Sequence, residues 1–257
     1  MRTIAITNQK GGVGKTTSAV NISAGLAALG KKVMVIDLDP QASLTYSLGI
    51  QADDLEVTVC DLLKGDTKLE EVVINEHNLT IVPSSIGLSN TETGLSSKTD
   101  GEVALREGLR GVNGFDFVIL DCPPNLGILT LNALTTANEV FVPLQAEFLS
   151  IKGLSKILET INMVKESHNP GLEFTGLLVT QYNKRLRLYN EVLGELREHF
   201  DDQLFNVNIR RNISLAEASS LRQSIHDYDP QSIGAEDYMA LCEEIESMGA
   251  QNEETKR

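Results

Sequence analysis

The densest chemistry in the chain lies in Asn8-Gln9-Lys10-Gly11-Gly12-Val13-Gly14-Lys15-Thr16-Thr17. Glycines at this spacing let the backbone come within hydrogen-bonding reach of an anion, and successive N–H groups pointing inward form a nest that suits a phosphate oxygen. Lys15 is spaced to bridge the β- and γ-phosphates of a nucleotide, and the Thr16 hydroxyl to hold Mg²⁺. The cofactor-binding stretch expected from this pattern is Lys10, Gly11, Gly12, Val13, Gly14, Lys15, Thr16 and Thr17. Two further sets of acids end apolar runs. Val33-Met34-Val35-Ile36 leads into Asp37 and Asp39, and Phe117-Val118-Ile119-Leu120 leads into Asp121. A fully apolar strand that closes on a carboxylate delivers charge to the carboxyl edge of a parallel sheet, where open α/β sheets bind ligands. Asp121 in that place can hold Mg²⁺ beside Thr16. Asp37 and Asp39 alternate, so both can face the phosphates; Asp39-Pro40 also suits a plain strand-ending turn.

The elements that must position these groups follow from the pattern around them. Thr3-Ile4-Ala5-Ile6-Thr7 reads as a strand, and Ala19, Ile22, Ser23, Leu26, Ala27 and Leu29 recur at helical spacing until Gly30. The loop therefore sits between a strand and a helix. Short helical pieces are expected near 44–48, 57–63 and 69–74, at an assembly face or sheet edge, and a strand at 79–84. The polar run 89–101 reads as a mobile loop, or more simply a solvated connection, with a short helix at 103–109. Further helices are expected at 126–137, 149–164 and 188–200, with strands at 115–121, 139–144, 172–182 and 204–209. Alternation of strands and helices argues for α/β architecture: a doubly wound, mostly parallel sheet with helices on both faces. No linker or repeat divides the chain, so residues 1–250 are expected to form one domain, with 251–257 a polar tail frayed from about 249.

An extra lysine, Lys10, opens the loop, and Gln9 stands where the common phosphate-loop pattern has glycine. Lys-Gly-Gly-Val-Gly-Lys-Thr-Thr resembles the deviant Walker A family of P-loop ATPases, which includes ParA, MinD, the nitrogenase iron protein and the arsenite-pump ATPase. Asp37-Leu38-Asp39-Pro40-Gln41 and Asp121-Cys122-Pro123-Pro124 resemble the corresponding motifs of the ParA group. So do Tyr228-Asp229-Pro230 and the segment Arg210-Arg211-Asn212-Ile213-Ser214-Leu215-Ala216-Glu217-Ala218, where Arg210 replaces the family's proline and leaves a backbone contact to the base open. The resemblance covers nearly the whole chain and is to short, Soj-like, chromosome-type members.

The resemblance implies ATP and Mg²⁺ as cofactors and a slow ATPase. Its catalytic residues would be Lys15, Asp39, which orients the attacking water, and Lys10, which reaches the nucleotide of the opposite subunit. Asp37 would support the Mg²⁺ shell with Thr16 and Asp121, and Asn183 would read the adenine amino group, although it also suits a strand-ending turn. The partners implied are a second copy with ATP, duplex DNA without sequence preference, and a ParB-like protein that stimulates hydrolysis, in a cytoplasmic, nucleoid-associated setting. A MinD-like membrane switch needs a basic amphipathic terminal helix, whereas 236–248 is acid-rich. An iron protein needs paired cluster cysteines, and Cys60, Cys122 and Cys242 lack such spacing.

Composition bears on the partners. Of 257 residues, 36 are acidic and 22 are Lys or Arg, a formal net charge of −14, so bulk charge repels nucleic acid and anionic membrane. No run is apolar enough to span a bilayer and no leader is expected. DNA binding therefore requires a local patch. Lys184, Arg185, Arg187, Arg197, Arg210, Arg211 and Arg222 are concentrated within 181–222, interleaved with Glu191, Glu195, Glu198, Asp201 and Asp202. Arg187, Arg211 and Arg222 are the expected DNA-binding residues.

Overall fold

The computed structural model describes residues 1–145, 150–183 and 185–255, with the side chains at 150–152, 188 and 250–255 outside the description. Seven strands form one sheet: β1 (Arg2–Ile6), β2 (Val33–Asp37), β3 (Ile74–Glu76), β4 (Leu79–Val82), β5 (Phe117–Asp121), β6 (Glu139–Gln145) and β7 (Glu173–Thr180). Their order is β3-β4-β2-β5-β1-β6-β7, parallel throughout except for the antiparallel edge strand β3. Every residue of β2 and β5 is buried, as expected of strands covered on both faces.

Alternation along the strands splits the core in two. On one face Ala5, Met34, Ile36, Val118 and Leu120 meet α3 (Val59–Lys64), α4 (Leu69–Val72), α5 (Leu88–Ser96), α6 (Ala104–Gly108), α7 (Ile128–Thr136), α8 (Ser150–Ser167) and α9 (Arg187–Phe200). On the other, Ile4, Ile6, Val33, Val35 and Ile119 meet α1 (Lys15–Ala28), α2 (Ser43–Ser47), α10 (Ile213–Ser220), α11 (Ile225–Tyr228) and α12 (Ile233–Thr255). Gly25 lets α1 and α12 touch, since a Cβ there would lie 2.6 Å from the Cys242 sulfur. No helix among the described residues is long and apolar enough to cross a membrane.

Four expectations need correction. The polar run 89–101 is largely helical: Leu88, Thr91 and Leu95 are buried at helical spacing. The hydroxyls of Thr93, Ser96 and Ser97 donate to carbonyls four residues back, so its polar residues serve the helix. Residues 204–209 do not form a regular strand. Leu204 bridges Leu177, and the Phe205 and Ile209 N–H groups reach β7, but Glu244 of α12 takes the N–H groups of Asn206 and Val207 and interrupts the ladder. The helix expected over 69–74 stops at Val72 and passes into β3. The last helix extends to Thr255, past the expected onset of fraying at about 249. Lys184 and the expected helix start at Leu149 lie outside the described residues.

Candidate nucleotide site

The carboxyl ends of β1, β2 and β5 lie side by side, with Ile6 and Asp37 each opposite Asp121 in the strand register. From β1 the chain passes into the glycine loop, where Gly12 (φ +73°) and Gly14 (φ +89°) adopt left-handed backbone that a side chain would strain. The turn aims the unpaired first N–H groups of α1 outward. Asn8 anchors the loop, donating to Pro143 O at 2.8 Å and accepting from Lys10 N at 3.0 Å.

Three side chains with no place in the sequence argument hold the loop from the far side. Thr180 Oγ1 donates to Val13 O at 2.8 Å, Gln181 Nε2 to Gly12 O at 3.0 Å and Gln145 Nε2 to the same carbonyl at 2.9 Å. The signal for them was present: like Asp37 and Asp121, they end apolar strands, here β6 and β7.

Lys15 is 7% exposed, and its ammonium reaches Lys10 O at 3.3 Å. Burial lowers its pKa, countered by the nearby carboxylates, Asp121 first and then Asp39. Lys10 itself is exposed. Asp39 is nearly buried, and its Oδ1 accepts from Gln41 N at 2.9 Å, so the turn expected as an alternative at this residue is present in the same side chain that acts on Lys15.

The two strand-end acids differ in what they touch. Asp37 is saturated locally: Oδ2 accepts from Thr45 N and Thr45 Oγ1, and Oδ1 from Asp39 N. Burial pushes its pKa up to about 6, against the pull of these hydrogen bonds. Asp121 is fully buried and neither carboxylate oxygen has a hydrogen-bond partner. Burial and the neighbouring Asp37 raise its pKa well above the usual range, while the nearby Thr16 hydroxyl and Lys15 oppose the shift. An unsatisfied buried carboxylate is costly unless it is protonated or meets a cation. Its open oxygens beside Thr16 fit Mg²⁺, and Asp37, with its oxygens largely occupied, fits a supporting place in the shell.

Beside the loop, Gly14, Thr17, Thr180, Gln181, Arg211 and Tyr238 help line a cavity of about 520 Å³, large enough for a nucleoside. Asn183 accepts from Arg185 N at 3.1 Å, the turn geometry open to it from sequence. Arg210 is bound through its guanidinium to Asp237 and Glu236 of α12, which withdraws it from the basic set. Arg187, Arg211 and Arg222 are exposed; Arg187 pairs with Glu191 at 2.8 Å, and Arg222 contacts the Gln51 amide. Cys60, Cys122 and Cys242 are buried free thiols.

A family profile described as an AAA domain matches residues 1–174. The sporulation initiation inhibitor protein Soj of Bacillus subtilis is 41% identical over 249 residues, covering 96% of this chain and 98% of that protein. The chain belongs to the ParA/Soj family of partition ATPases. The chromosome-partitioning ATPase Soj of Treponema pallidum is 42% identical, over 95% of this chain and 96% of its own. Among solved structures, cobyrinic acid a,c-diamide synthase of Mycobacterium smegmatis, with a bound ATP analog and magnesium, is 36% identical with a TM-score of 0.83, covering 95% of this chain and 93% of that one. The likeness covers nearly the whole chain.

Proposed function

We propose that this ParA/Soj member is an ATP-driven switch that dimerises with Mg·ATP, binds duplex DNA without sequence preference in that state, and is released when a ParB-like partner stimulates hydrolysis. The reading is supported by one observation: the cavity lined by Gly14 and Thr17 of the phosphate loop and α1 is also lined by Arg211, so one of the three expected DNA-binding arginines stands at the wall of the nucleotide pocket. In this reading residues 11–17 cradle the phosphates, Lys15 meets the β- and γ-oxygens, and Thr16 and Asp121 hold Mg²⁺ with Asp37 in support. Bound there, the metal supplies positive charge to the phosphates. Asp39 orients the attacking water. Lys10, exposed at the mouth of the loop, is supplied to the nucleotide of the second subunit, which makes hydrolysis depend on assembly.

Arg187, Arg211 and Arg222 form the DNA contact, and dimerisation doubles a patch too weak to overcome a net charge of −14 in one chain. The pair with Glu191 does not withhold Arg187, because so exposed an ion pair contributes little. The test is retention on an arbitrary duplex with ATP and with ADP at low salt. Binding with ATP alone is expected, abolished by Arg187→Glu/Arg211→Glu/Arg222→Glu; the double variant Arg187→Glu/Arg222→Glu, which leaves the pocket wall at Arg211 intact, should weaken retention at unchanged ATP affinity. Equal binding in both nucleotide states, or none in either, overturns the DNA reading.

A further inference from the structure

Asp37, Thr45, Ser84 and Asp39 form a closed circuit of hydrogen bonds. Asp39 N donates to Asp37 Oδ1 at 3.0 Å; Thr45 Oγ1 donates to Asp37 Oδ2 at 2.7 Å. Ser84 N donates back to Thr45 Oγ1 at 2.9 Å, and Ser84 Oγ donates to Asp39 O at 2.8 Å, which closes the ring. Asp37, Thr45 and Ser84 are fully buried and Asp39 is 8% exposed. The four residues come from the end of β2, the loop after it, α2 and the segment following β4, so the circuit ties α2 and the segment after β4 to the backbone on both sides of one residue, Asp39.

We propose that Thr45 and Ser84 are positioning residues for hydrolysis, fixing the Asp39 residue through both its N–H and its carbonyl so that its carboxylate is held at one place relative to the phosphate loop. The argument is geometric. With the Asp39 backbone bonded on both sides and Oδ1 engaged by Gln41 N, the side chain has one oxygen left to direct outward. Neither Thr45 nor Ser84 needs to touch nucleotide for this. Thr45 is suited to the junction because one hydroxyl both donates and accepts, which valine of the same shape cannot do. Catalytic groups act through placement within fractions of an ångström, and a displacement of about 1 Å can cost on the order of 100-fold in rate. Loss of either hydroxyl therefore affects the chemical step more than nucleotide binding. The inference rests on the reading of Asp39 as the water-orienting residue.

The test compares Thr45→Val, Thr45→Ser, Ser84→Ala and Asp39→Ala in the full chain. Mg·ATP affinity is measured by calorimetry, single-turnover hydrolysis by product release, and amide exchange over 38–42 with a bound non-hydrolysable ATP analog. The expected result is that Thr45→Val and Ser84→Ala bind Mg·ATP within about twofold of the parent and exchange faster over 38–42. They hydrolyse at least about tenfold more slowly, and Thr45→Ser restores the rate. Ser84→Ala removes a single oxygen and carries the same test if Thr45→Val does not fold. Parental hydrolysis in both hydroxyl variants, while Asp39→Ala is inactive, overturns the ring and leaves Asp39 standing. Parental hydrolysis in Asp39→Ala overturns the reading of Asp39 and the inference with it. A parallel fall in affinity, rate and melting temperature, unrescued by serine, overturns positioning in favour of a purely structural role.

Discussion

The division of labour between the two strand-end carboxylates is the main result at the scale of residues. Asp37 spends its oxygens on Thr45 and Asp39, while Asp121 keeps both open at full burial. A pH dependence follows from Asp37. Its folded pKa of about 6 lies above the ordinary 3.8, so between those values the folded chain holds a proton that the unfolded chain has lost. This group's contribution to the stability of the nucleotide-free protein is therefore present below about pH 4 and lost as pH rises through 6. Mg²⁺ favours the ionised acids, so binding Mg·ADP near pH 6 should release protons. Calorimetry in two buffers of different ionisation enthalpy reads this directly, and identical heats in both would contradict it. Lys15→Ala should abolish measurable Mg·ATP binding, since it removes the cation facing Asp121 and the phosphates from a largely desolvated place; tight binding by calorimetry would exclude the loop assignment. Asp37, Asp39 and Asp121 were legible because an acid at the end of an apolar strand is a pattern. Thr45 and Ser84 were not, since a single hydroxyl acquires its partner only when distant segments meet.

Among the elements, the packing of α1 against α12 is the tightest test of the fold. Alanine at Gly25 gains up to about 1 kcal/mol of helix propensity. It also places a Cβ 2.6 Å from Cys242 Sγ and 3.0 Å from His226 Nε2, and overpacking of that kind costs about 1–3 kcal/mol. Overpacking wins, so Gly25→Ala should lower the urea midpoint at unchanged slope, and adding Cys242→Ala should recover part of the loss. A midpoint at or above the parent's would show that the helices slide apart freely. The central strands and the long helices were readable from hydrophobic period alone. Two segments departed from the pattern: a sparse buried face of Leu88, Thr91 and Leu95 sufficed to hold a polar run as α5, and Glu244 broke a strand at 206–207. The second leaves no local trace, since Glu244 is distant in the chain; the first does, in the helical spacing of residues 88, 91 and 95, which the polar composition around them outweighed.

For the whole molecule, charge is the governing quantity. An acidic chain can hold DNA only through concentrated arginines, so binding by the proposed dimer should weaken steeply with salt, with a log–log slope of no more than about −5 for six arginines. Assembly and chemistry are expected to separate at Lys10. Lys10→Ala should retain Mg·ATP affinity yet fail to hydrolyse, because in the proposed dimer the cation it removes acts in the other subunit's reaction. Turnover at the parental rate would place Lys10 outside the chemistry.

The strand order also sets a timetable. β1 carries the phosphate loop and β2 the first acids, but the two never pair, because β5 lies between them and arrives about eighty residues after β2. During synthesis the first two strands leave the ribosome with their facing edges unmatched, both apolar and both needing the same late neighbour. The strand that completes the sheet also brings Asp121. A growing chain therefore cannot join β1 to β2 through the sheet before it acquires Asp121, the acid proposed to face the metal, and on that proposal ability to hold Mg·nucleotide becomes a marker that the centre of the sheet has closed.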